Sequence, residues 1–481
     1  MQSSPKADAV LVLNRFGLGP RPGSIVGIAS DPRGALLAEL ERAPAMLAAA
    51  AALPSTATAF RAVNEANARR QAKTIAAKKA REEAKRQQVA AGATMVADSG
   101  QADTEADAKA AAEAVPDPGR QFYLQEAKVR TEAALTAEIG FAERLVWFWS
   151  NHFCISADKI QSMSGGYERE AIRPYALGRF VDLLLAAEGH PAMLFYLDNN
   201  VSMGANSIAG INRTRGLNEN FAREIMELHT LGVRSGYGQD DVIAFANVLT
   251  GWTLLPPADN PEHGGEFSFN PRLHEPGAQT VLGKSYAEEG VEQGRAVLRD
   301  LAAHPATATH VAGKLARDFI ADQPPQELVD DMARVFRDTA GDLKEVAKAM
   351  VASPAAWTLP PTKLKRPSEW VVGMVRAAGI TEVDALRFTQ GQRILGEALW
   401  RPPSPRGYAD DEASWIDGLG RRLDVANVFA ERIAGQVDPQ FVTETVLQSC
   451  VSSDVMEAIA HAESRQQALV LLFMSADLQR R

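Results

Sequence analysis

The chain contains 481 residues, of which 46% are hydrophobic and 23% are charged. These are ordinary proportions for a globular protein, so the composition excludes a collagen-like chain, a disordered chain and a mini-protein. The formal net charge of −9 argues against nucleic acid or an anionic membrane as the main partner.

Few features near the start of the chain point to export. The apolar run Val10 to Leu13 is too short for the hydrophobic part of a signal peptide. No run approaches the roughly 20 apolar residues of a membrane-spanning helix. We therefore expect a cytoplasmic protein, or a periplasmic one if a leader has been removed. Cys154 and Cys450 form no CxxC pair, so we expect neither a structural zinc site nor a disulfide framework.

Helical periodicity dominates the sequence and predicts a mainly α fold with a large multi-helical body. One short segment near residues 262–286 resembles a β-hairpin, because Phe267 and Phe269 alternate with polar residues. The predicted helices cover residues 32–50, 119–149, 167–197, 217–232, 239–252, 304–357 and 366–379, and a proline-rich loop covers 401–407.

The composition changes sharply between residues 60 and 118. Residues 61–90 hold nine Lys or Arg against three Asp or Glu, whereas residues 91–118 hold one Lys against six Asp or Glu. A basic helix followed by an acidic, alanine-rich stretch indicates a projecting arm or a flexible insertion, which could bind a protein partner. The predicted organisation is an N-terminal helical segment (1–59), this arm (60–118), a helical core with the candidate site (119–357) and a C-terminal helical subdomain (358–481).

The common enzyme signatures are missing from the sequence. It has no HExxH, no GxSxG, no EF-hand loop and no dinucleotide-binding fingerprint. AQTVLGKS resembles a phosphate-binding loop but has Ala278 in place of the first glycine and lies in a β-like stretch. A function therefore has to be argued from less specific clusters.

The first cluster is the segment WFWSNHF. His152 is either a histidine satisfied within the core or a general acid or base that Asn151 orients in an aromatic-walled site. Trp149, like Trp252 further along the chain, is a candidate platform for stacking a sugar ring.

The second cluster is the segment GLNENFAREIMELHTLG. Asn220, Glu224 and Glu227 follow one face of the predicted helix, away from its apolar stripe. Arg223 can pair with Glu227, and Asn218 is suited to cap the helix or to bind a ligand. This face is either solvated or a carboxylate site.

Three more residues are candidates from loops and helix ends. His274 precedes a Pro-Gly turn, Asp198 ends an apolar run as an inward carboxylate, and Arg173 could bind an anionic group of a substrate. Each also has a structural interpretation, respectively as part of a surface hairpin, a capped turn and an ion pair.

The order of several segments resembles that of a known family. They are RLVWFWSNHF, REAIRPYALGRF, GLNENFAREIMELHTLG, VLTGW, HEPGAQTVLG, HPATATHVAGKL and RPPSPRGY. From about Leu13 to Arg481 the chain resembles domain-of-unknown-function family 1800, a large and mainly bacterial family. The resemblance implies that His152, Glu224 and His274 lie in signature segments, but it carries over no catalytic role. Members of the family often look exported and are found near sulfatase-like proteins, whereas no leader is recognised here.

Three functions remain open from the sequence. The first is a hydrolase that uses carboxylate general acid–base chemistry on a glycan or another polar polymer, with Glu224 as acid, Asp198 or Glu227 as partner and His152 orienting. The second is an enzyme that binds a divalent metal through His152, Glu224, Glu227 and His274. The third is a non-enzymatic helical binding module. No cofactor is required by the sequence, and the substrate would be a small molecule or a polysaccharide.

Overall fold

The computed structural model describes residues 5–42, 48–90, 117–211, 216–233, 235–447 and 451–481. Within these ranges the fold is mainly α, as the sequence predicts, and the β structure is confined to two short antiparallel ribbons. No helix in the described ranges combines the length and the apolar character that crossing a bilayer would require.

The first part of the chain forms eleven α-helices among the described residues. They are α1 (Pro5–Leu11), α2 (Ser24–Ile28), α3 (Pro32–Leu40), α4 (Thr56–Ala90), α5 (Pro118–Thr136), α6 (Phe141–His152), α7 (Ala157–Tyr167), α8 (Phe180–Glu188), α9 (Pro191–Tyr196), α10 (Asn220–Glu224) and α11 (Gln239–Leu249). Short 3-10 turns occur at Ala48–Ala52, Arg173–Tyr175 and Asn199–Val201.

The remaining α-helices follow the two β-ribbons. They are α12 (Val291–Ala303), α13 (Pro305–Phe319), α14 (Gln326–Asp338), α15 (Leu343–Ala352), α16 (Ala355–Thr358), α17 (Pro367–Ala377), α18 (Ala385–Ile394), α19 (Leu419–Ile433), α20 (Pro439–Phe441), α21 (Ser453–Ala460), α22 (Arg465–Met474) and α23 (Ala476–Gln479). Short 3-10 turns at Glu412–Ser414 and Ile416–Gly418 precede α19.

Proline and short polar side chains fix several helix starts. Helix α5 begins with Pro118 after Asp117, whose carboxylate accepts from the Gly119 and Arg120 N–H groups. Helix α13 begins with Pro305, and the Nδ1 atom of the preceding His304 accepts from the backbone. Proline suits the first helical position because the N–H it lacks would be unpaired there, and its φ is already helical.

The long helix predicted over residues 119–149 is wrong, because the structure divides it into α5 and α6. Gly140 has a φ of 93°, a left-handed conformation that ends the helical path and that glycine adopts without strain. The carboxylate of Glu39 then accepts from the N–H groups of Ile139, Gly140 and Ala142. A carboxylate from α3 therefore caps the start of α6, an interaction that the local sequence does not reveal.

Four segments adopt the wider π-helical turn, in which one extra residue enters the helix. They are Val12–Phe16, Glu168–Ile172, Ile225–His229 and Val442–Leu447. The third interrupts the helix that we predicted over residues 217–232, so this segment is a short α-helix followed by a π-turn. Such turns are rare and are often found at functional sites.

The β structure consists of two ribbons where one hairpin was predicted. Strand β1 (Trp252–Leu254) pairs with β2 (Phe267–Phe269), and Trp252 lies opposite Phe269. Strand β3 (Gln279–Val281) pairs with β4 (Lys284–Tyr286). The prediction over residues 239–252 extended the helix too far, because Gly251 has a φ of 85° and turns the chain into β1.

Residues far apart in the sequence form one large hydrophobic cluster. It includes Ala9 near the start and Leu478 near the end of the chain. Polar bonds join the same regions, since Arg15 donates to the carbonyl of Ala356 at 2.7 Å. The division into four domains stays a prediction, as does the role of the arm.

The basic part of the predicted arm lies in α4, which is 35 residues and roughly 50 Å long. Its first turns pack on the body, where the rings of Phe60 and Phe195 lie 5.8 Å apart. Most side chains beyond Ala66 are exposed. The acidic part, residues 91–116, lies outside the described residues.

A buried network of charges connects α6, α13, α17 and the C-terminal residue. Arg144 donates to Asp318 and to Glu369, both at 3.1 Å. Arg481 donates to the other oxygen of Glu369 at 2.8 Å. Burial alone would raise the pKa of Glu369, but the guanidinium groups of Arg144, Arg481 and Arg366 outweigh burial and lower it.

Candidate functional site

A cleft of about 970 Å³ opens where four parts of the chain meet. These are the C-terminal end of α6, the π-turn Ile225–His229, helix α13 and the loop 403–411. The polar side chains that line it are Asn151, His152, Glu227, Thr309, His310, Lys314, Arg317, Asp318, Asp322, Gln323, Gln326, Ser404, Arg406, Tyr408, Asp410, Asp411 and Ser414.

The π-turn Ile225–His229 supplies two carbonyl groups to this region. The Gly232 N–H closes the turn by donating to the Met226 carbonyl at 3.2 Å. The carbonyls of Leu228 and His229 are near the end of the helical segment, where no backbone N–H of the described residues donates to them. They therefore accept from side chains of other helices.

Two histidines donate to these carbonyls. His310 Nε2 lies 3.0 Å from the Leu228 oxygen, and His152 Nε2 lies 3.1 Å from the His229 oxygen. Because a carbonyl can only accept, the hydrogen is on Nε2 and each Nδ1 carries a lone pair. Burial lowers the pKa of both rings, to about 4 for His310, so both are neutral at pH 7.

A third histidine lies behind them with a carboxylate partner. The Nδ1 atom of His229 is 2.7 Å from Oε1 of Glu188, and both side chains are fully buried. The ring of His229 lies 6.0 Å from that of His152 and 5.2 Å from that of Phe153. Glu188 therefore fixes the orientation of His229 beneath the cleft.

Lys314 lies one helical turn after His310 on α13. Its side chain is partly buried, yet among the described residues it has neither an ion pair nor a hydrogen bond. Burial lowers the pKa of its ammonium group to about 8, although the carboxylate of Asp410 acts in the opposite direction. A lysine with these properties is rare outside functional sites.

Four carboxylates near the cleft also lack ion pairs within the described residues. Glu227 lines the cleft, Glu224 lies one turn before it, and Asp410 and Asp411 lie on the opposite loop. Burial raises the pKa of Glu224, and repulsion from Glu227 adds to this effect. Burial and the neighbouring Asp318 raise the pKa of Asp410.

The loop 403–411 is held in place by Asn151. The side-chain amide of Asn151 donates to the Tyr408 carbonyl at 2.9 Å and accepts from the Tyr408 N–H at 2.8 Å. Gly407 has a φ of 83°, and a Cβ atom there would lie 2.5 Å from the Asn151 carbonyl oxygen. Asn151 therefore acts on the cleft through the loop, since both ends of its amide are engaged there.

Cys154 lies beside the cleft but has the environment of a structural thiol. Its Sγ atom is 3.1 Å from the Pro405 carbonyl oxygen. Burial raises the pKa of the thiol to about 12, so the nucleophilic thiolate is not populated near neutral pH.

Of the predicted site residues, the structure brings Asn151, His152, Glu224 and Glu227 together at this end of the molecule. The predicted tryptophans lie in the core instead. Trp149 packs against Phe153 and Phe180, and Trp252 packs against Phe267. Both are 1% exposed, so neither offers a face on which a sugar could stack.

The predicted polar ligands outside the cleft have structural partners. Arg173 forms two hydrogen bonds to Glu143, at 2.5 and 2.8 Å, and Asp198 is 57% exposed and pairs with Lys159. Asp198 is therefore not the inward carboxylate that we expected.

The amide of Asn218 and the guanidinium of Arg223 are also engaged locally. Asn218 donates to the Asp198 carbonyl and accepts from the Asn220 N–H, which begins α10. Arg223 pairs with Glu219 rather than with Glu227. Asn220 itself is exposed at the helix start.

His274 lies at the β1–β2 ribbon and does not line the cleft. Its Nδ1 atom is 2.8 Å from the Thr250 carbonyl oxygen, and its ring lies 5.2 Å from that of Phe269. Among the residues that the structure describes, no three His, Cys, Asp or Glu side chains form a group that could hold a metal ion. The alternative ligand set with His152, Glu224, Glu227 and His274 is thus not assembled.

The residues that sequence reasoning missed lie mainly on α13. His310, Lys314 and Asp318 follow one another at intervals of four, which places them on one face of a helix. The apolar residues Val311 and Leu315 occupy the other face. This regular polar stripe was the signal available, but it is also typical of an ordinary solvated helix.

The family comparison covers all parts of this cleft. A family model described as a protein of unknown function (DUF1800) matches residues 11–480. The chain belongs to the DUF1800 family. The comparison with curated proteins found no match, and neither did the comparison with solved structures. The expected membership is therefore confirmed, and the cleft geometry has to carry any functional argument.

Proposed function

We propose that this DUF1800 chain is a hydrolase that cleaves a polar polymer, such as a glycan, by general acid–base chemistry in the cleft. The observation that carries the proposal is that the carboxylates of Glu224 and Glu227 have no ion pair within the described residues. Of the other carboxylates that line the cleft, Asp318 is paired with Arg144 and Asp322 with Lys363. Asp410 and Asp411, on the opposite loop, lack ion pairs within the described residues. Partly buried carboxylates without ion pairs are unfavourable unless they serve another purpose.

The two carboxylates have different environments, which suits them to different roles. Glu224 is the proposed general acid, because its raised pKa favours the protonated form. Glu227 lines the cleft and is the proposed base. The acid gives its proton to the leaving oxygen while the base takes a proton from water. The bond to the leaving oxygen breaks as the water oxygen forms its new bond.

The size and lining of the cleft support a polar polymer as the substrate. About 970 Å³ is at the upper end of the usual range for small-molecule pockets, and the cleft is open to solvent. Its lining is rich in hydroxyl, amide and charged groups, with the rings of Phe148 and Tyr408 at one side. With Trp149 and Trp252 in the core, hydrogen bonds and charge would provide most of the recognition.

The test is a hydrolysis assay of the full chain on a panel of neutral and acidic polysaccharides, with new reducing ends as the readout. We expect at least one polymer to be cleaved, and expect Glu224→Gln and Glu227→Gln each to lower the rate by about 100-fold or more. Glu262→Gln is the control, because Glu262 is exposed and away from the cleft. Circular dichroism should show the same helix content in all variants.

Two results would contradict the proposal. One is that no polymer of the panel is cleaved. The other is that a polymer is cleaved at the same rate by the wild type, by Glu224→Gln and by Glu227→Gln, since the hydrolysis would then use other groups.

A further inference from the structure

The unpaired ammonium group of Lys314 is the feature of the cleft that the proposed acid–base pair does not use. It lies on the cleft wall, partly withdrawn from water, and no carboxylate lies within ion-pair distance among the described residues. A charge that is partly withdrawn from water and has no partner raises the free energy of the folded protein. An anion bound beside the ammonium group would offset that cost.

Two more cations without ion pairs line the same cleft. Arg317 lies one turn along α13 from Lys314, and Arg406 lies on the opposite loop. Neither has an ion pair or a hydrogen bond from its guanidinium group within the described residues. The three side chains therefore present positive charge from two walls of the cleft.

Two of the five carboxylates that line the cleft are already neutralised by ion pairs. Asp318 pairs with Arg144 at 3.1 Å. Asp322 pairs with Lys363 at 2.5 Å and also accepts from the Glu412 N–H at 2.8 Å. Glu227, Asp410 and Asp411 remain without ion pairs among the described residues, and they equal the three cations in number. The Asp411 carboxylate accepts from the N–H and hydroxyl groups of Ser414.

We propose that Lys314 binds a carboxylate or sulfate group of the substrate, so that the polymer cleaved in this cleft is an acidic one. This inference rests on the proposed function, and it deepens that function by naming the substrate class. Arg317 and Arg406 lie where further anionic groups along the same polymer would pass. Charge-assisted hydrogen bonds to such groups are roughly twice as strong as neutral ones.

The affinity should depend on pH through Lys314 itself. The charged or titratable groups that face Lys314 come from three parts of the chain. They are His152 at the end of α6 and Cys154 just after it, His310, Arg317 and Asp318 from α13, and Asp410 from the loop 403–411. The two histidines are neutral at pH 7, and the thiol stays protonated. The ammonium group loses its proton near pH 8, so binding of an anion should weaken as the pH rises through that value.

The first experiment measures binding of three oligomers by calorimetry at pH 7: oligogalacturonate, dextran sulfate and neutral dextran. We expect the wild type to bind an acidic oligomer and not dextran, and Lys314→Met to bind it about 10-fold more weakly or worse. Lys314→Arg should retain most of the affinity. Lys348→Met is the control, because Lys348 pairs with Glu41 and Glu345 and does not line the cleft. The preferred acidic oligomer identifies the group as carboxylate or sulfate.

A second experiment needs no variant. Competitive acetylation followed by mass spectrometry gives the pKa of each lysine, and we compare sulfate with chloride at matched ionic strength. Sulfate should raise the pKa of Lys314 and protect it from acetylation, without a comparable change at Lys348.

The inference is overturned if neutral dextran binds as well as the acidic oligomers, if no oligomer binds, or if Lys314→Met binds like the wild type. Its failure is distinguishable from failure of the hydrolase proposal. Cleavage of a neutral polymer that depends on Glu227 would support the hydrolase and reject the acidic substrate. Binding of an acidic oligomer through Lys314 without any cleavage would support the acidic ligand and reject the hydrolase proposal.

Discussion

At the scale of single residues, the cleft differs from the rest of the interior in its unpaired ionisable groups. Arg376, for example, is buried elsewhere in the interior and donates to the carbonyls of Gly19 and Ala134. In the cleft, Lys314 and Glu227 have no such partners among the described residues. Ionisable side chains that have no partner within the protein are available to bind a ligand.

His310 should make the stability of the protein depend on pH. Its pKa falls from 6.5 to about 4 on folding, so its contribution is fully present above pH 6.5 and is lost as the pH falls from 6.5 to about 4. The loss amounts to up to about 3 kcal/mol. We expect His310→Gln, whose amide can still donate to the Leu228 carbonyl, to reduce the fall in unfolding free energy between pH 7 and pH 4.5. Urea unfolding at the two pH values measures it.

The matched control for this prediction is His461→Gln, because His461 is exposed. That variant should follow the wild type at both pH values. A fall in unfolding free energy that is the same in His310→Gln as in the wild type would show that His310 does not carry the effect.

At the scale of elements, the π-turn Ile225–His229 and helix α13 fit together through Gly232. The φ of Gly232 is 85°, and a Cβ atom there would lie 2.8 Å from the Nδ1 atom of His310. A side chain at this position would displace the histidine that holds the end of the turn. The two elements therefore form one unit, and the cleft depends on their close approach.

Gly236 provides a close control for this contact. Its φ is 96°, but a Cβ atom there would meet nothing within 4 Å. We expect Gly236→Ala to lower the unfolding free energy by about 1 kcal/mol, the cost of the left-handed backbone alone. Gly232→Ala should lower it by about 2–4 kcal/mol, because the contact with His310 is added. Equal losses of unfolding free energy in the two variants, measured by urea unfolding, would mean that the contact with His310 does not contribute to stability.

The elements also show what the sequence could and could not predict. The apolar period of 3.6 residues predicted the helical character. The segments WFWSNHF and GLNENFAREIMELHTLG supplied the candidates Asn151, His152 and Glu227, which line the cleft. The break at Gly140 and the π-turn depend on Glu39, His310 and other distant groups, so no local pattern encodes them.

Lys314 escaped prediction for a related reason. Its helix has a regular apolar face, and the sequence does not show that its polar face lies against the loop 403–411. Trp149 was misplaced because an aromatic residue next to a histidine has the same pattern in a core as in a binding site.

At the scale of the whole molecule, Glu369 connects parts of the chain that are far apart in sequence. Its carboxylate accepts from Arg144 and from Arg481. We expect Glu369→Gln to lower the unfolding free energy by about 3–5 kcal/mol, because both guanidinium groups would remain buried without their anion. Thermal and urea unfolding measure this loss.

Glu345→Gln is the control for Glu369, since Glu345 pairs with Lys348 in a partly exposed position. Its effect should be below about 1 kcal/mol. Because the pKa of Glu369 is lowered on folding, its contribution is present above the unfolded pKa of about 4.5 and is lost as the pH falls below it. If Glu369→Gln lost no more unfolding free energy than Glu345→Gln, the proposed contribution of the buried charge network to stability would be contradicted.

The bond between Arg376 and the carbonyl of Gly19 spans 357 residues and has a consequence for synthesis on the ribosome. The N-terminal helices are made first, but part of the surface that covers them is made last. At 5–20 residues per second, roughly 20–70 s pass before that surface exists. During most of this interval Phe16, which is fully buried in the finished protein, lacks its contact with the ring of Trp357, 6.2 Å away. We therefore expect the packing of the N-terminal helices to be completed only late in translation.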